Sequence, residues 1–294
     1  MTTLPDSLLA AALNTTSAAI LITDAQARIV TVNRAFTVET GYAPEDVIGQ
    51  NPSLLSSGRH DADFYGQLWS DLTQQGSWRG EIWNRRRDGS LFAEWICIDA
   101  IRDARGEITN YIGVFNDISA RKQREAELEW RALHDPLTAL PNRALLCDRL
   151  ALSLEQARRS GKLVAVLALD LDGFKAVNDV HGHAAGDWLL KEVAMRLLGG
   201  VRSCDTVCRI GGDEFVVLCP DIESPRAGTM VADRILGALR PSFAFQDTSL
   251  SIGASIGIAF FPLHGSAGEE LMLRADEAMY AAKQAGKARV ELAA

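Results

Sequence analysis

Two acids follow a pair of glycines at Gly211-Gly212-Asp213-Glu214, between the β-rich runs 206–210 and 215–218. A Gly-Gly pair between two such runs signals a hairpin, so Asp213 and Glu214 stand where a sheet turns. Glycines at a turn let the backbone approach a ligand and offer N–H groups to an anion, while neighbouring carboxylates can hold a hard cation. A second acidic stretch, Asp170-Leu171-Asp172, ends the apolar run 163–171. A buried strand ending in carboxylates costs free energy unless they are paired, hydrogen-bonded or bound to metal. If this strand lies beside the hairpin, Asp170 and Glu214 converge. Such a cluster suits two Mg²⁺ ions that bind a triphosphate, activate a hydroxyl and stabilise the leaving oxygen. The residues alone point to metal-dependent phosphoryl or nucleotidyl transfer.

A chain of 294 residues, 47% hydrophobic, predicts two medium domains with real cores. Residues 1–133 carry 13 Lys/Arg against 18 Asp/Glu and the remainder 17 against 20, so the halves have net charges of −5 and −3. Neither is built to wrap a nucleic-acid polymer or coat an anionic membrane. The five cysteines, Cys97, Cys147, Cys204, Cys208 and Cys219, include no Cys-x-x-Cys pair, which fits a reducing cytosol and neither a disulfide framework nor a zinc site. The first residues lack a basic n-region, and the longest apolar run, 163–169, is far short of the roughly 20 residues a spanning helix needs. A soluble cytoplasmic protein is expected. No phosphodiesterase domain is expected after Val290.

Along the chain, 8–13 predicts an entry helix and 18–24 with 28–32 two short strands. Short helices are expected at 33–40 and 44–48, punctuated by Gly41 and Gly49, and a longer one at 63–73. Strands follow at 78–84, 91–98 and 111–117. This order resembles a PAS sensor domain, carried by Ile22-Thr23-Asp24, Asn33-Arg34-Ala35-Phe36, Gly41-Tyr42, Glu45-Asp46-Val47-Ile48-Gly49, Arg86-Arg87-Asp88-Gly89 and Asp117-Ile118-Ser119. Segments around Asn51-Pro52, Gly76 to Glu81 and Asn84-Arg85-Arg86 are most similar to the flavin-binding PAS subset that senses redox state, which implies FAD, with Trp78 and Asn84 as candidate contacts. Asn51 is followed by Pro52, so the photoadduct cysteine of light sensors is missing. His60 lies in a polar loop and is a bland residue before it is a haem ligand. Trp69, Trp78, Trp83 and Trp95 are expected in the core before a ligand pocket.

Residues 118–133 are charged and free of Gly and Pro, with Ile118, Ala126, Leu128 and Leu133 at helical spacing, which predicts a linker helix serving as a signalling stalk. The domains are thus 1–117, the linker 118–133, and 134–294. In the last of these Asn142 caps a helix over 144–159, a strand covers 250–260, and helices cover 225–240 and 269–285, the last capped by Gly286. The fold class is α+β: antiparallel sheet with helices in the first domain, and a mostly antiparallel sheet flanked by helices in the second.

Four successive stretches of the second domain, Asp135-Pro136-Leu137-Thr138-Ala139-Leu140-Pro141-Asn142-Arg143, Asp170 to Asp179, His181-Gly182-His183-Ala184-Ala185-Gly186-Asp187 and Arg209 to Phe215, resemble the GGDEF family of diguanylate cyclases. The resemblance implies condensation of two GTP into cyclic di-GMP and two pyrophosphates by a homodimer, regulated by the PAS domain and by product. It places metal ligands, for Mg²⁺ or Mn²⁺, at Asp170, the Leu171 carbonyl and Glu214, and an aid to deprotonating the attacking 3′-hydroxyl at Asp213. Gly211 and Gly212 would admit the triphosphate, the turn at Phe174 and Lys175 would meet its terminal phosphates, and Lys283 and Lys287 would contact phosphate. Asn178 and Asp187 match the guanine-reading pair, whose amide and carboxylate suit guanine's acceptor and donor edge. Arg202 and Asp205, five residues before Gly211, match the family's inhibitory product site, an Arg being able to fork onto phosphate and stack on a base.

Lys287 replaces the usual Arg of Gly-Arg-Asn and Ala288 follows it, while Ala139 replaces a Gly. A point charge then stands for a bidentate contact. Cys204 and Cys208 are expected to be packing residues, and His181 and His183 local hydrogen-bonding ones. The alternatives are a catalytically inactive module that binds cyclic di-GMP at Arg202 and Asp205, which predicts lost active-site acids, and a cyclase using ATP, which Asn178 with Asp187 disfavours.

Overall fold

The computed structural model describes residues 5–294, which divide after Ala126 into two compact units. The first holds α1 (Asp6–Thr15), β1 (Ala19–Asp24), β2 (Ile29–Val32), α2 (Arg34–Thr40), α3 (Pro44–Val47), a 3₁₀ turn (Pro52–Leu55), α4 (Ala62–Gln75), β3 (Ser77–Arg85), β4 (Leu91–Arg102) and β5 (Ile108–Asp117). Its five strands form one antiparallel sheet in the order β2-β1-β5-β4-β3. Local chemistry sets the helix ends: the Asn33 and Asp61 side chains accept the N–H groups of Phe36 and Phe64 at 2.9 Å, and Gly41 and Gly76 close α2 and α4 in the left-handed conformation. Phe36, Phe92, Phe115 and Leu72 fill the core, each worth about 1.5–3 kcal/mol on burial. The tryptophans depart from expectation. Trp69 and Trp95 are 40% and 45% exposed, and Trp78 and Trp83 are half-buried, because alternation along β3 and β4 sends Trp83 and Trp95 to the face opposite Phe92.

Helix α5 (Ser119–Leu133) carries the chain across the division and buries none of its residues. The second unit continues with α6 (Arg143–Ser160), β6 (Leu163–Asp172), α7 (Phe174–His181), α8 (His183–Gly199), β7 (Thr206–Gly211), β8 (Glu214–Ile222), α9 (Pro225–Leu239), β9 (Phe243–Phe245), β10 (Thr248–Leu250), β11 (Gly253–Phe261), α10 (Gly268–Gln284) and β12 (Val290–Leu292). Its main sheet runs β12-β11-β6-β8-β7, antiparallel except for the β11–β12 pair. Every residue of β6 from Val164 to Leu169 is buried, because helices cover both faces: α8 and α9 pack on Leu167 and Leu169, α6 and α10 on Val164 and Val166. That is why the strand reads as a continuous apolar run rather than an alternating one.

The strand expected over 250–260 is shorter at its start. Leu250 belongs to a separate hairpin of β9 and β10, and β11 begins at Gly253. Asn142 caps α6 as expected, accepting the N–H groups of Ala144 and Leu145. Helix α10 ends at Gln284, with Gly286 two residues on at φ 113° and the Lys287 N–H bonded to the Ala282 carbonyl at 3.0 Å, the reach-back of a Schellman closure.

Candidate active site

Strands β6 and β8 place Asp170 directly opposite Glu214, so the two acid stretches meet at one end of the sheet. Gly211 pairs with Glu214, leaving Gly212 and Asp213 at the centre of the hairpin. Gly212 has φ 53° and Asp213 has no positive φ, the pattern of a two-residue turn with glycine first. A side chain at Gly211 or Gly212 would meet nothing within 4 Å. Glycine therefore serves the backbone conformation there and leaves open space beside the acids.

The turn is braced from below. Arg209 donates to both carboxylate oxygens of Asp135 at 2.9 and 3.0 Å and, with its other nitrogens, to the Gly212 carbonyl at 2.7 and 3.1 Å. Asp135 also accepts the Thr138 N–H and hydroxyl. Burial pulls the Asp135 carboxyl up, but these bonds prevail and hold it below its ordinary value. The sequence reading missed this brace, although Asp135 and Thr138 stand at the three-residue spacing of such a local bond.

Lys283, in the last turn of α10, places its ammonium 2.8 Å from Asp170 Oδ2. Burial, together with Asp213 and Asp172, raises the Asp170 pKa against the pull of Lys283, and burial with Asp170, Asp276 and Asp213 raises that of Glu214. Mutually repelling carboxylates with one lysine among them form a donor set suited to a hard divalent cation. Among the described residues no three His, Cys, Asp or Glu side chains close a metal cage. A cation here would draw its other ligands from backbone and phosphate oxygens.

Phe174 and Lys175 occupy the first two positions of α7, so the expected turn is a helix N-terminus, entered through Gly173 at φ 86° without a side-chain cap. The Phe174 ring packs on the core, which leaves its backbone N–H as the group to offer an anion. Asn178 follows on α7 and Asp187 on α8, and their helices touch at Gly186, where a Cβ would lie 2.0 Å from Asn178 Oδ1 and 3.2 Å from the Phe174 ring. Gly186→Ala is expected to push Asn178 aside and, in the guanine-reading role expected of Asn178, to raise KM for GTP at least about tenfold, a loss of the size of one misplaced hydrogen bond. Steady-state kinetics check it, and an unchanged KM contradicts it.

Asp172 lies on the same face of β6 as Asp170 but turns toward β11. Its carboxylate accepts the Ser255 hydroxyl at 2.8 Å and the Ala288 N–H at 3.0 Å. Lys287 is exposed beside it, with φ 64°. At the far end of β7, Asp205 accepts the Arg202 backbone N–H at 2.8 Å and forms no ion pair with the guanidinium among the described residues. The exposed Arg202 side chain is thus not spent on an internal pair. Cys204 is exposed, against the packing expectation, whereas Cys208 is buried and its thiol pushed up to about 12 by burial. His181 and His183 are both exposed.

In the first unit Trp78 and Asn84 share one face of β3, but Asn84 is already engaged: its Nδ2 donates to Glu94 Oε1 at 3.0 Å. Trp78 lies over Gly80 and edge-on to Phe64, and His60 accepts the Trp83 N–H at 2.9 Å, a structural role. Glu94 itself, missed from sequence, is 1% exposed, and its Oε2 is the buried side-chain atom without a partner among the described residues. Burial, then the Glu39 and Asp117 carboxylates, push its pKa to about 8, and burial pushes Glu39 to about 7. A folded-state pKa above the unfolded one means the folded chain holds the proton more tightly. The stabilisation is complete below the ordinary carboxyl value and is lost as pH rises through about 8. The thermal midpoint of the first unit in the full chain should therefore fall between pH 6 and 9, and Glu94→Gln, permanently neutral, should flatten most of that fall. An equal fall in the variant contradicts this.

A family model for the diguanylate cyclase GGDEF domain matches residues 132–289, and one for the PAS fold matches residues 7–118. The bifunctional diguanylate cyclase/cyclic di-GMP phosphodiesterase MucR of Pseudomonas aeruginosa is 49% identical over 168 residues, covering 57% of this chain and 24% of that protein. The probable diguanylate cyclase DgcE of Escherichia coli is 31% identical over 279 residues, covering 92% of this chain and 25% of that protein. The chain thus spans about a quarter of the length of these relatives. The crystal structure of the GGDEF domain of TpbB from Pseudomonas aeruginosa matches with a TM-score of 0.53 at 40% identity, covering 53% of this chain and 98% of that one. With more than half of its residues inside the GGDEF match and a PAS fold ahead of it, this chain belongs to the GGDEF family of diguanylate cyclase domains.

Proposed function

We propose that this chain condenses two GTP into cyclic di-GMP. The observation that carries the reading is the pairing of Asp170 with Glu214 beside an open glycine turn. In this reading Asp170, the Leu171 carbonyl and Glu214 hold Mg²⁺ or Mn²⁺, which when bound neutralises the triphosphate and its leaving pyrophosphate. The chain's own groups do the rest. The N–H groups at the start of α7, Lys283 and Lys287 bind phosphate oxygens, Gly211 and Gly212 leave them room, and Asn178 with Asp187 orients guanine. Asp213 takes the proton of the attacking 3′-hydroxyl. Each hydroxyl forms a bond to the α-phosphorus of the other GTP as that phosphorus releases pyrophosphate, so two half-sites must face one another.

A homodimer follows from that requirement. Residues 134–294 act as the cyclase, 118–133 as a stalk and 1–117 as the sensor, in the cytoplasm. Ala126, Trp130 and Leu133, spaced at i, i+4 and i+7 and exposed on the largely charged α5, favour pairing of stalks. No helix among the described residues is long and apolar enough to cross a membrane. Side-by-side incubation with GTP and ATP tests the substrate, with GTP expected to be preferred at least about 100-fold because adenine would leave the hydrogen-bonding groups of Asn178 and Asp187 unmatched; equal use would contradict it.

Arg202 and Asp205 form the product site in this reading, and the free Arg202 guanidinium supports it. Arg202→Ala should leave the initial rate unchanged and raise the cyclic di-GMP concentration for half-inhibition at least about tenfold. Inhibition at the same concentration would refute the assignment. A flavin in the first unit is favoured by the unpartnered Glu94 Oε2, since a buried polar atom without a partner suits a ligand that supplies one. A visible spectrum of freshly purified protein tests it: flavin bands support it and a haem Soret band or a blank opposes it.

A further inference from the structure

The turn after α10 holds two successive non-glycine residues in the left-handed region, Lys287 at φ 64° and Ala288 at φ 47°. That conformation is costly for residues with a Cβ and persists only where surroundings hold it. Three bonds do so here. The Lys287 N–H reaches the Ala282 carbonyl at 3.0 Å, the Arg289 carbonyl accepts the Ile256 N–H at 2.9 Å, and between them the Ala288 N–H reaches Asp172 Oδ2 at 3.0 Å. Asp172 is the side-chain member of this set, and it is itself fixed by the fully buried Ser255 hydroxyl at 2.8 Å. It sits opposite Gly253, where a Cβ would come within 3.1 Å of Oδ2. The end of β6 therefore grips the end of α10 twice, at Asp170 with Lys283 and at Asp172 with Ala288.

We infer that Asp172 is a positioning residue for GTP: by clamping the left-handed turn at Ala288 it aims Lys287 at the substrate's phosphates. This rests on the cyclase reading and on Lys287 as a phosphate contact. Asp172 does its work as an acceptor for one N–H, not as a charge. An asparagine can keep that acceptance through Oδ1 and donate to Ser255 Oγ through Nδ2, whereas alanine can do neither.

The test compares Asp172→Ala, Asp172→Asn, Lys287→Ala and the Asp172→Ala/Lys287→Ala pair in the full chain, by steady-state kinetics with GTP and Mg²⁺ and by amide exchange at Ala288. Asp172→Ala should raise KM for GTP about three- to tenfold with kcat within about twofold, and speed exchange at Ala288 at least about tenfold. Asp172→Asn should restore KM and slow exchange, and the pair should be no worse than Lys287→Ala alone. If Asp172→Asn is as impaired as Asp172→Ala, the carboxylate acts through its charge and the inference fails. It fails too if the two single effects multiply in the pair, if Lys287→Ala leaves KM unchanged, or if Asp172→Ala leaves exchange at Ala288 unaltered. A wild-type chain inert toward GTP overturns the cyclase reading instead, and the exchange measurement still reads the clamp.

Discussion

Glu214→Ala should lower cyclic di-GMP formation at least about 100-fold and leave the fold intact. Glu214 is exposed at the first position of β8, so its truncation opens no core cavity. What is lost is one of two facing carboxylates, leaving Asp170 paired with Lys283 alone. Because burial and the neighbours Asp170, Asp276 and Asp213 raise the Glu214 pKa, its charge is carried at a cost to the folded state. Removing it should hold or raise the thermal midpoint at pH 8, the reverse of what a structural residue would do. Glu214→Gln should match Glu214→Ala in rate, since size without charge does not replace the ligand. Turnover within a few fold of wild type would remove Glu214 from the chemistry.

Gly257→Ala should unfold the second unit or detach α10. A Cβ at Gly257 would lie 2.1 Å from both the Ala275 carbonyl oxygen and the Met279 nitrogen, and these are backbone atoms of a packed helix that cannot rotate away. A cost above about 4 kcal/mol is expected, a large part of a domain's total stability. Since α10 brings Lys283 to Asp170, a partly folded variant should lose activity as well. The control is Gly237→Ala in α9, where a Cβ meets nothing within 4 Å and helix propensity should stabilise by about 0.5–1 kcal/mol. Urea unfolding of both variants reads the difference. A Gly257→Ala midpoint close to wild type would mean that α10 is not seated on β11 as described.

The acid pair was legible because its signals are local: a Gly-Gly turn between β-rich runs, and an apolar run closed by Asp170. Their meeting needed only adjacent strands. What sequence concealed depends on distant partners. Asp172 looks like a third active-site acid until its bonds to Ser255 and Ala288, 83 and 116 residues on, are known. Glu94 sits where alternation along β4 turns Phe92 and Ile96 inward, so a residue type that normally marks the wet face lies in the core. Trp95 is the converse, a large aromatic on the outer face. Residues 250–252 continue the alternating pattern of β11, so the break that returns the chain from the β9–β10 hairpin carried no periodic signal.

The central claim is tested most directly by incubating the full chain with GTP and Mg²⁺ at dimeric concentration and resolving the products by chromatography and mass. The account predicts cyclic di-GMP with two pyrophosphates for each molecule formed, and none from Glu214→Ala. GTP left unconsumed, or a product other than cyclic di-GMP, would contradict it.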